Sequence, residues 1–594
     1  MRQADLQRML AAAYVVKRPS TALAAYHDEG QVSFAAAQDA LFRSADGRYV
    51  CLVDGTIFPP AEPAVPPPGG SAEMLLDAYL SDGIESLARQ RGAFAFAIWD
   101  AFEKKLVLGR DRFGIKSLYY HHAGKGVLFS SSLSAVARNP HATGAIDLDG
   151  VIEYFSCGFI GSPLTIYRDI RALHPGQYVI FRNGAVHAGS FAELVPRVWR
   201  FHDVDGQTES DLIDRLDLLI TNSVRCRIPR SEGVAAYLSS GLDTSLLCAV
   251  LKRHTEKNVT AFTLGTRDPR WDEIPAAEAT VKYLGVDRHE HHYMDEDEFE
   301  SALFALPDIF GQPFADSSAI PSYAIAQRVA ADFLAVFSGD GPDFFYGSRD
   351  FRVWYHYYRI VPRLLRSPLS RLAEYMDRRF ALGWSTPNRH VAELLWQPQC
   401  FWIFHKKFKS AELERLMRQP IAPDRFWGHR FLESRRDIPL YERLRLTFHI
   451  AFGVNGVQRK GCDIHDALLV DFICPYCDPD LFEFVQFLPT RLKLNRYGQA
   501  GKYLHRKLIK RYIPPEITAR RKRGFLFDFA DLGPEPLRKL TERYLSRKRL
   551  GESDLFDAGY AAQCVRDYFS GDLRMGPLLW TLLVFEIWRE RSGS

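Results

Sequence analysis

Apolar positions fall into two regimes along this chain. Up to about residue 195 they come in short runs: Tyr49 to Val53, Ala93 to Trp99, Leu106 to Gly109, Gly126 to Ser130 and Gln177 to Phe181. Turn signals separate the runs, which predicts a layered, β-rich region. From Ser210 the period changes. Leu212, Leu216, Leu219 and Ile220 recur at helical spacing and predict an amphipathic helix. Strand-like runs then alternate with helical stretches: Val234 to Leu238, Val259 to Leu264 and Phe333 to Phe337. That alternation predicts a parallel sheet with its ligand at the carboxyl ends of the strands. Beyond about residue 350 the pattern is mostly helical, with many aromatics and arginines. The Pro-rich segment Pro59 to Gly70 predicts an extended, mobile loop. No internal repeat is visible.

The densest chemistry lies between Tyr237 and Ser245. The run Val234 to Leu238 ends in Ser239, Ser240, Gly241, Leu242, Asp243, Thr244 and Ser245, and Leu246, Leu247, Val250 and Leu251 then predict a helix. A strand, a small-residue loop and a helix N-terminus together make an anion site. Backbone N–H groups and the hydroxyls of Ser239, Ser240, Thr244 and Ser245 can surround a phosphate. Asp243 repels phosphate but can hold a Mg²⁺ that bridges to one. No Lys follows the glycine, so this is not a Walker loop. An ordinary Ser/Gly turn could use the same residues. The loop nonetheless resembles the SGGxDS pyrophosphate loop of ATP pyrophosphatases, which cut ATP between the α and β phosphates.

Composition narrows the class. At 594 residues the chain should hold two or more domains. Hydrophobic content of 47% and charged content of 25% are those of a globular protein. A net charge of +4 gives no global argument for nucleic acid. The first twenty residues lack a long apolar core and a clean cleavage site, so a signal peptide is not expected, and no apolar run has spanning length. Nine scattered cysteines suit reduced thiols and a cytoplasmic location. Cys474-Pro475-Tyr476-Cys477 has redox-motif spacing, and Cys462 and His465 nearby could complete a zinc site. No thioredoxin-like strand–helix unit surrounds them, so buried thiols beneath the active site are the preferred reading.

Several motifs in order resemble the asparagine synthetase B family over nearly the whole length. Gly92 to Asp100 (GAFAFAIWD) and Gly109 to Tyr120 (GRDRFGIKSLYY) are similar to its amino-terminal glutaminase-like domain. Gln312 to Pro321 (QPFADSSAIP), Ser338 to Asp343 (SGDGPD) and Arg520 to Phe525 (RRKRGF) are similar to its synthetase domain. The resemblance implies an α/β protein: a layered Ntn-type domain over residues 1–200, and an ATP-pyrophosphatase domain with a parallel sheet over residues 205–594. It implies ATP and Mg²⁺ as cofactors. Asp243 and Asp343 would hold the metal. Leu238, Leu264, Ser338 and Gly339 would supply backbone groups around the nucleotide. Lys522 would stabilise charge on the adenylate and the following intermediate, and Asp340 would assist intermediate formation. Arg520, Arg521 and Arg523 are either substrate contacts or a solvated basic face.

The departures from the family pattern bear on the substrate. Glutamine-hydrolysing members use Cys at position 2, whereas this chain has Arg2 and no Cys before Cys51. Their NGEIYN is here Asp54 to Pro59 (DGTIFP), and the aspartate of SDTE is replaced by Ser71 in Gly70-Ser71-Ala72-Glu73. An Arg side chain cannot replace a thiolate nucleophile. The amino-terminal domain is therefore expected to be degenerate and to make no ammonia. Ser240 replaces a loop glycine, and with a negative φ its hydroxyl is expected to donate to phosphate. The family's LEVRVPFLD is here Val470 to Asp478, with Ile473 in place of Arg and Asp471 in place of Glu. In the family this segment lies by the acceptor pocket, so a substrate other than aspartate is expected.

With no ammonia source, an amine within the same molecule would gain a high effective concentration. Two branches of the family do this, the lasso-peptide cyclases and the β-lactam synthetases. Chain length, the aromatic- and Arg-rich helical region and the altered acceptor segment favour the lasso cyclase. That reading implies a precursor peptide, with a leader peptidase and a leader-binding protein as partners. A β-lactam synthetase or an ammonia-dependent asparagine synthetase is the alternative.

Overall fold

The computed structural model describes residues 24–28, 31–35, 40–59, 69–123, 126–269, 272–347, 361–362, 364–365, 407–408, 410–421, 430–431, 434–494, 501–518 and 534–593. Its amino-terminal part contains β1 (Ala24–Asp28), β2 (Gln31–Ala35), β3 (Leu41–Arg43), β4 (Tyr49–Phe58), β5 (Arg91–Asp100) and β6 (Lys105–Arg110). β7 (Tyr119–Ala123), β8 (Gly126–Ser130), β9 (Ile170–Ala172), β10 (Gln177–Arg182) and β11 (Ala185–Ser190) follow. They form two sheets, ordered β2-β1-β8-β7-β9 and β11-β10-β6-β5-β4-β3, and the strand pairs are antiparallel.

The alternation of the strands explains the layering. One face of the six-stranded sheet, with Leu52, Ala95, Ala97 and Leu108, packs on Leu118, Val127 and Phe129 of the other half. The opposite face, with Val53, Phe94, Phe96 and Ile98, is covered by Ala72, Leu75 and Leu76 of the helix Gly70–Asp82. The strand runs read from sequence fall inside β4, β5, β6, β8 and β10.

The second part is built on one parallel sheet. Its strands are β12 (Gly233–Tyr237), β13 (Asn258–Gly265), β14 (Arg288–Tyr293), β15 (Ala335–Phe337) and β16 (Asp471–Ile473), in the order β14-β13-β12-β15-β16. Each neighbouring pair is parallel. The predicted amphipathic helix is Glu209–Arg225, started by a capping box between Thr208 and Asp211. It buries Leu212, Leu216 and Ile220 in the core around the sheet, as the spacing requires.

This core also takes in Phe113 and Ile115 from the amino-terminal part. The Phe113 ring meets Phe482 edge-on at 5.3 Å. The two parts therefore share apolar packing. Beyond residue 350 the described residues are mainly helical, as read, apart from the short β16. Asp471 to Ile473 thus form an edge strand of the sheet. The Pro-rich segment 60–68, together with Arg2, lies outside the described residues.

Candidate functional site

In a parallel sheet the segments leaving the carboxyl ends of the strands gather along one edge. Here that edge collects the loop after β12, the loop after β15 and the segment after β16. β12 runs to Tyr237, and the helix Leu242–His254 starts at Gly241 with Asp243 in its first turn. Ser239 to Ser245 are therefore the predicted strand-to-helix loop.

The loop is held from within. The Ser239 N–H donates to Thr244 Oγ1 at 3.1 Å, the Gly241 N–H to Ser239 Oγ at 3.1 Å, and Ser245 Oγ to the Gly241 carbonyl at 2.9 Å. Ser240 is absent from the positive-φ positions, in line with its expected backbone, but its hydroxyl has another partner. It donates to Glu273 Oε1 at 2.7 Å. A carboxylate 7% exposed needs donors, and Ser240 supplies one.

The loop after β15 lies against this one. A Cβ on Gly339 would come within 2.7 Å of Thr244 Cγ2 and 3.0 Å of its backbone nitrogen, so only glycine permits this approach. The Ser338 N–H donates to the Ile473 carbonyl at 2.8 Å, which ties the loop to β16. Ser338 Oγ donates to Asp340 Oδ2 at 3.0 Å. Leu238 and Leu264, at the ends of β12 and β13, are both buried. The Leu238 carbonyl accepts from Thr263 Oγ1 at 2.8 Å.

The two predicted metal-holding aspartates are brought together by a lysine that the sequence reading did not select. Lys502 Nζ lies 2.6 Å from Asp243 Oδ2 and 2.7 Å from Asp343 Oδ1. The Lys502 side chain is 8% exposed, Asp243 5% and Asp343 38%, so the cluster opens to solvent on the Asp343 side. His505 Nε2 stands 3.3 Å from Asp243 Oδ1. Burial lowers the His505 pKa to about 4, which keeps the imidazole neutral. Lys502 adopts a left-handed backbone, φ +60°, uncommon for a residue with a side chain. Two carboxylates that share one cation form a hard-oxygen donor set, which suits Mg²⁺ together with phosphate oxygens and water.

Next to Asp340 lies a second pair. The Tyr237 hydroxyl meets His465 Nε2 at 2.5 Å, and His465 Nδ1 meets the Gly461 carbonyl at 2.6 Å. The carbonyl requires N–H at Nδ1, so Tyr237 donates to Nε2. Burial, and then the Asp340 carboxylate, push the Tyr237 phenol far up. Burial lowers His465 to about 4. In the QPFADSSAIP motif, Lys460 Nζ lies 3.1 Å from Asp316 Oδ2. Against burial, Lys460 and then Lys407 hold Asp316 well below the usual carboxylate range.

Cys474 and Cys477 are buried free thiols. A hydrogen bond with Cys477, and then burial, raise Cys474 well above the ordinary thiol value, the reverse of an activated redox cysteine. Among the described residues no group of three or more His, Cys, Asp or Glu side chains is placed to hold a metal ion. Tyr476, between the two cysteines, donates to the Asp243 carbonyl at 2.9 Å. Lys522, Arg520, Arg521 and Arg523 lie outside the described residues.

The positions expected to have lost glutamine binding are engaged elsewhere. Asp54 is fully buried, with Oδ1 3.4 Å from Lys116 Nζ. Ser71 Oγ accepts from the Ile57 N–H at 3.0 Å, and Thr56 Oγ1 donates to Asp471 Oδ2 at 3.4 Å.

An antiparallel two-sheet layer joined to a parallel sheet with a Ser/Gly/Asp loop at its carboxyl edge is the arrangement of an amidotransferase-like domain followed by an α/β domain. Residues 215–590, more than half of the chain, match the asparagine synthase family, and residues 69–192 match the glutamine amidotransferase domain. The chain belongs to the asparagine synthase family, whose asparagine synthetases are ATP-dependent carbon–nitrogen ligases that release AMP and pyrophosphate. It is 25% identical over 578 residues to a putative glutamine-hydrolyzing asparagine synthetase of Mycobacterium bovis, covering 92% of this chain and 84% of that protein. It is also 25% identical to the glutamine-hydrolyzing asparagine synthetase 1 of Bacillus subtilis, covering 87% and 80%. A solved glutamine phosphoribosylpyrophosphate amidotransferase from B. subtilis aligns at TM-score 0.22 and 11% identity, covering 57% of this chain and 79% of that one. No described helix is long and apolar enough to cross a membrane.

Proposed function

We propose that this chain is a macrolactam synthetase of the lasso-peptide cyclase kind. An Asp or Glu side-chain carboxylate of a precursor peptide attacks the α phosphorus of ATP, and pyrophosphate leaves. The peptide's amino terminus then attacks the acyl carbon of the mixed anhydride, loses a proton, and AMP departs. The product is the peptide less one water.

One contrast carries the reading. Asp243 and Asp343 are retained and gathered about one cation, whereas Asp54 and Ser71 are committed to internal contacts where a glutamine site would need them free. Asp243 and Asp343 would hold Mg²⁺, which offsets phosphate charge when bound. Ser338, Gly339, Leu238 and Leu264 would frame the nucleotide with backbone groups. Lys522 would steady the developing oxyanion, and Asp340 would aid formation of the intermediate. A leader peptidase must free the attacking amine, so a peptidase and a leader-binding protein are expected partners.

The relatives are asparagine synthetases by name, which favours a second reading, an ammonia-dependent asparagine synthetase. One experiment separates the two. The protein is incubated with ATP and Mg²⁺, either with the precursor peptide and its peptidase or with aspartate and ammonium. Loss of one water from the core peptide, with AMP formed, supports the cyclase. Asparagine with AMP supports the second reading. ADP as the nucleotide product removes both.

A further inference from the structure

The amino-terminal domain, though stripped of its glutamine-site residues, reaches the nucleotide edge of the sheet through one buried side chain. Lys116, 5% exposed, lies in the segment Arg110 to Ser117. Its backbone N–H donates to Asp111 Oδ2 at 3.0 Å, and its carbonyl accepts from Arg110 Nε, so its own domain fixes its position. Its ammonium crosses to the other domain and donates to Asp466 Oδ1, with Asp54 Oδ1 at 3.4 Å behind it. Against burial, Asp466 and then Asp54 hold this ammonium well above the ordinary lysine value.

Asp466 lies on the helix Arg459–Leu468. The adjacent His465 holds the Tyr237 hydroxyl beside Asp340. The end of the same helix leads into β16: the Val470 N–H donates to the His465 carbonyl at 3.0 Å, and the Ile473 carbonyl takes the Ser338 N–H at 2.8 Å. A second interdomain contact, Thr56 Oγ1 to Asp471 Oδ2 at 3.4 Å, meets the start of that strand. These contacts border a partly open cleft lined by Gly55, Gly92, Ile115, Lys116, Asp471 and Cys474.

We infer that Lys116 is a positioning residue for the adenylating site. It anchors the Asp466 end of the helix Arg459–Leu468 and, through β16, the loop that carries Ser338, Gly339 and Asp340. The degenerate domain is thereby kept as a brace for the chemistry of the other domain. A buried ammonium between two buried carboxylates suits this task, because removing one member of a buried charge cluster is strongly unfavourable. The inference rests on the proposed ATP-dependent reaction for its effect on turnover, but not for its effect on the structure.

The test uses the full chain and three variants: Lys116→Met, Asp466→Asn and Asp54→Asn. Hydrogen–deuterium exchange is read by mass spectrometry over residues 334–341 and 459–478, with β5 and β6 as internal control. Lys116→Met and Asp466→Asn, which break one contact from its two ends, should each speed exchange in both segments about tenfold, as local opening becomes easier. β5 and β6 should stay as in the parent. Asp54→Asn keeps the Lys116–Asp466 contact and should change the two segments at most about twofold. In the AMP assay Lys116→Met should lower kcat about tenfold while the KM for ATP stays within about twofold, as expected when binding is kept and alignment is lost. Unchanged exchange over residues 334–341 in both contact-breaking variants would overturn the inference. So would faster exchange spread evenly through β5 and β6, or an unchanged kcat. If the parent protein makes no AMP, the proposed function falls, and the exchange pattern still decides the role of Lys116.

Discussion

Lys502 Nζ stands 2.6 Å from Asp243 Oδ2, and the same ammonium reaches Asp343 at 2.7 Å. A lysine holds the two carboxylates in the position where a divalent ion would balance them. Lys502→Met should therefore act in two ways. It leaves two carboxylates facing each other, one of them buried, which costs on the order of 3 kcal/mol. It also raises the pair's demand for a cation. The melting temperature should fall without Mg²⁺, and millimolar Mg²⁺ should restore more of it in the variant than in the parent. An equal Mg²⁺ response in both would contradict a metal site at this pair.

The two carboxylates differ in setting, and their variants should differ too. Asp243 is 5% exposed and contacts Lys502 and His505, whereas Asp343 is 38% exposed. Asp243→Asn and Asp343→Asn should each lower AMP formation by roughly a hundredfold or more, through loss of a metal-binding charge. Asp243→Asn should also lower thermal stability, because it strips a buried lysine of a partner. Asp343→Asn should leave stability within about 1 kcal/mol, as is usual for exposed pairs. Thermal melts beside turnover assays read both effects.

Most of the fold could be read from periodicity. β12, its loop and the helix after it combine a buried apolar run, small residues and a helical repeat, three local signals that agree. β14 reads Arg-His-Glu-His-His-Tyr and carries no apolar alternation; it is an edge strand, specified by pairing with β13 rather than by burial. β16 has three residues, too few to show a period, and the sheet's open edge beside β15 creates it. The loop from β12 into the helix Leu242–His254 was legible because a motif carries it. Lys502 was not, since its role depends on a left-handed backbone that places a lysine from far along the chain against Asp243. Lys116 and Asp466 are 350 residues apart, and local pattern contains nothing about such a pair.

Glutamine should not serve as a nitrogen donor. Asp54 is fully buried against Lys116, and Ser71 accepts the Ile57 N–H, so the glutamine-site positions are taken up by the fold. Incubation with glutamine, with and without ATP, should release no glutamate above the uncatalysed background. Asp54→Asn alone should not create that activity, because no nucleophile is supplied. Glutamate released in step with amide product would refute this.

Stability should fall as the solution is acidified below neutrality, and buried neutral histidines give the reason. Burial lowers His449 to about 3, and His174 and His465 to about 4, against an ordinary value of 6.5. The unfolded chain takes up these protons near pH 6.5 and the folded chain does not. Their contribution is therefore complete above pH 6.5 and is lost as the pH falls toward the folded values. In that window each histidine costs about 1.4 kcal/mol per pH unit, the free energy of one proton taken up only on unfolding. His449 offers the cleanest check. Its ring lies parallel to Phe344 at 5.6 Å, and neither ring nitrogen has a hydrogen-bond partner among the described residues. His449→Leu should keep much of the packing and remove one of the protons. Urea unfolding at pH 7.0, 6.0 and 5.5 should show stability falling less steeply in the variant, by about 1.4 kcal/mol per pH unit below pH 6.5. Equal slopes in variant and parent would show that His449 is not kept neutral by burial.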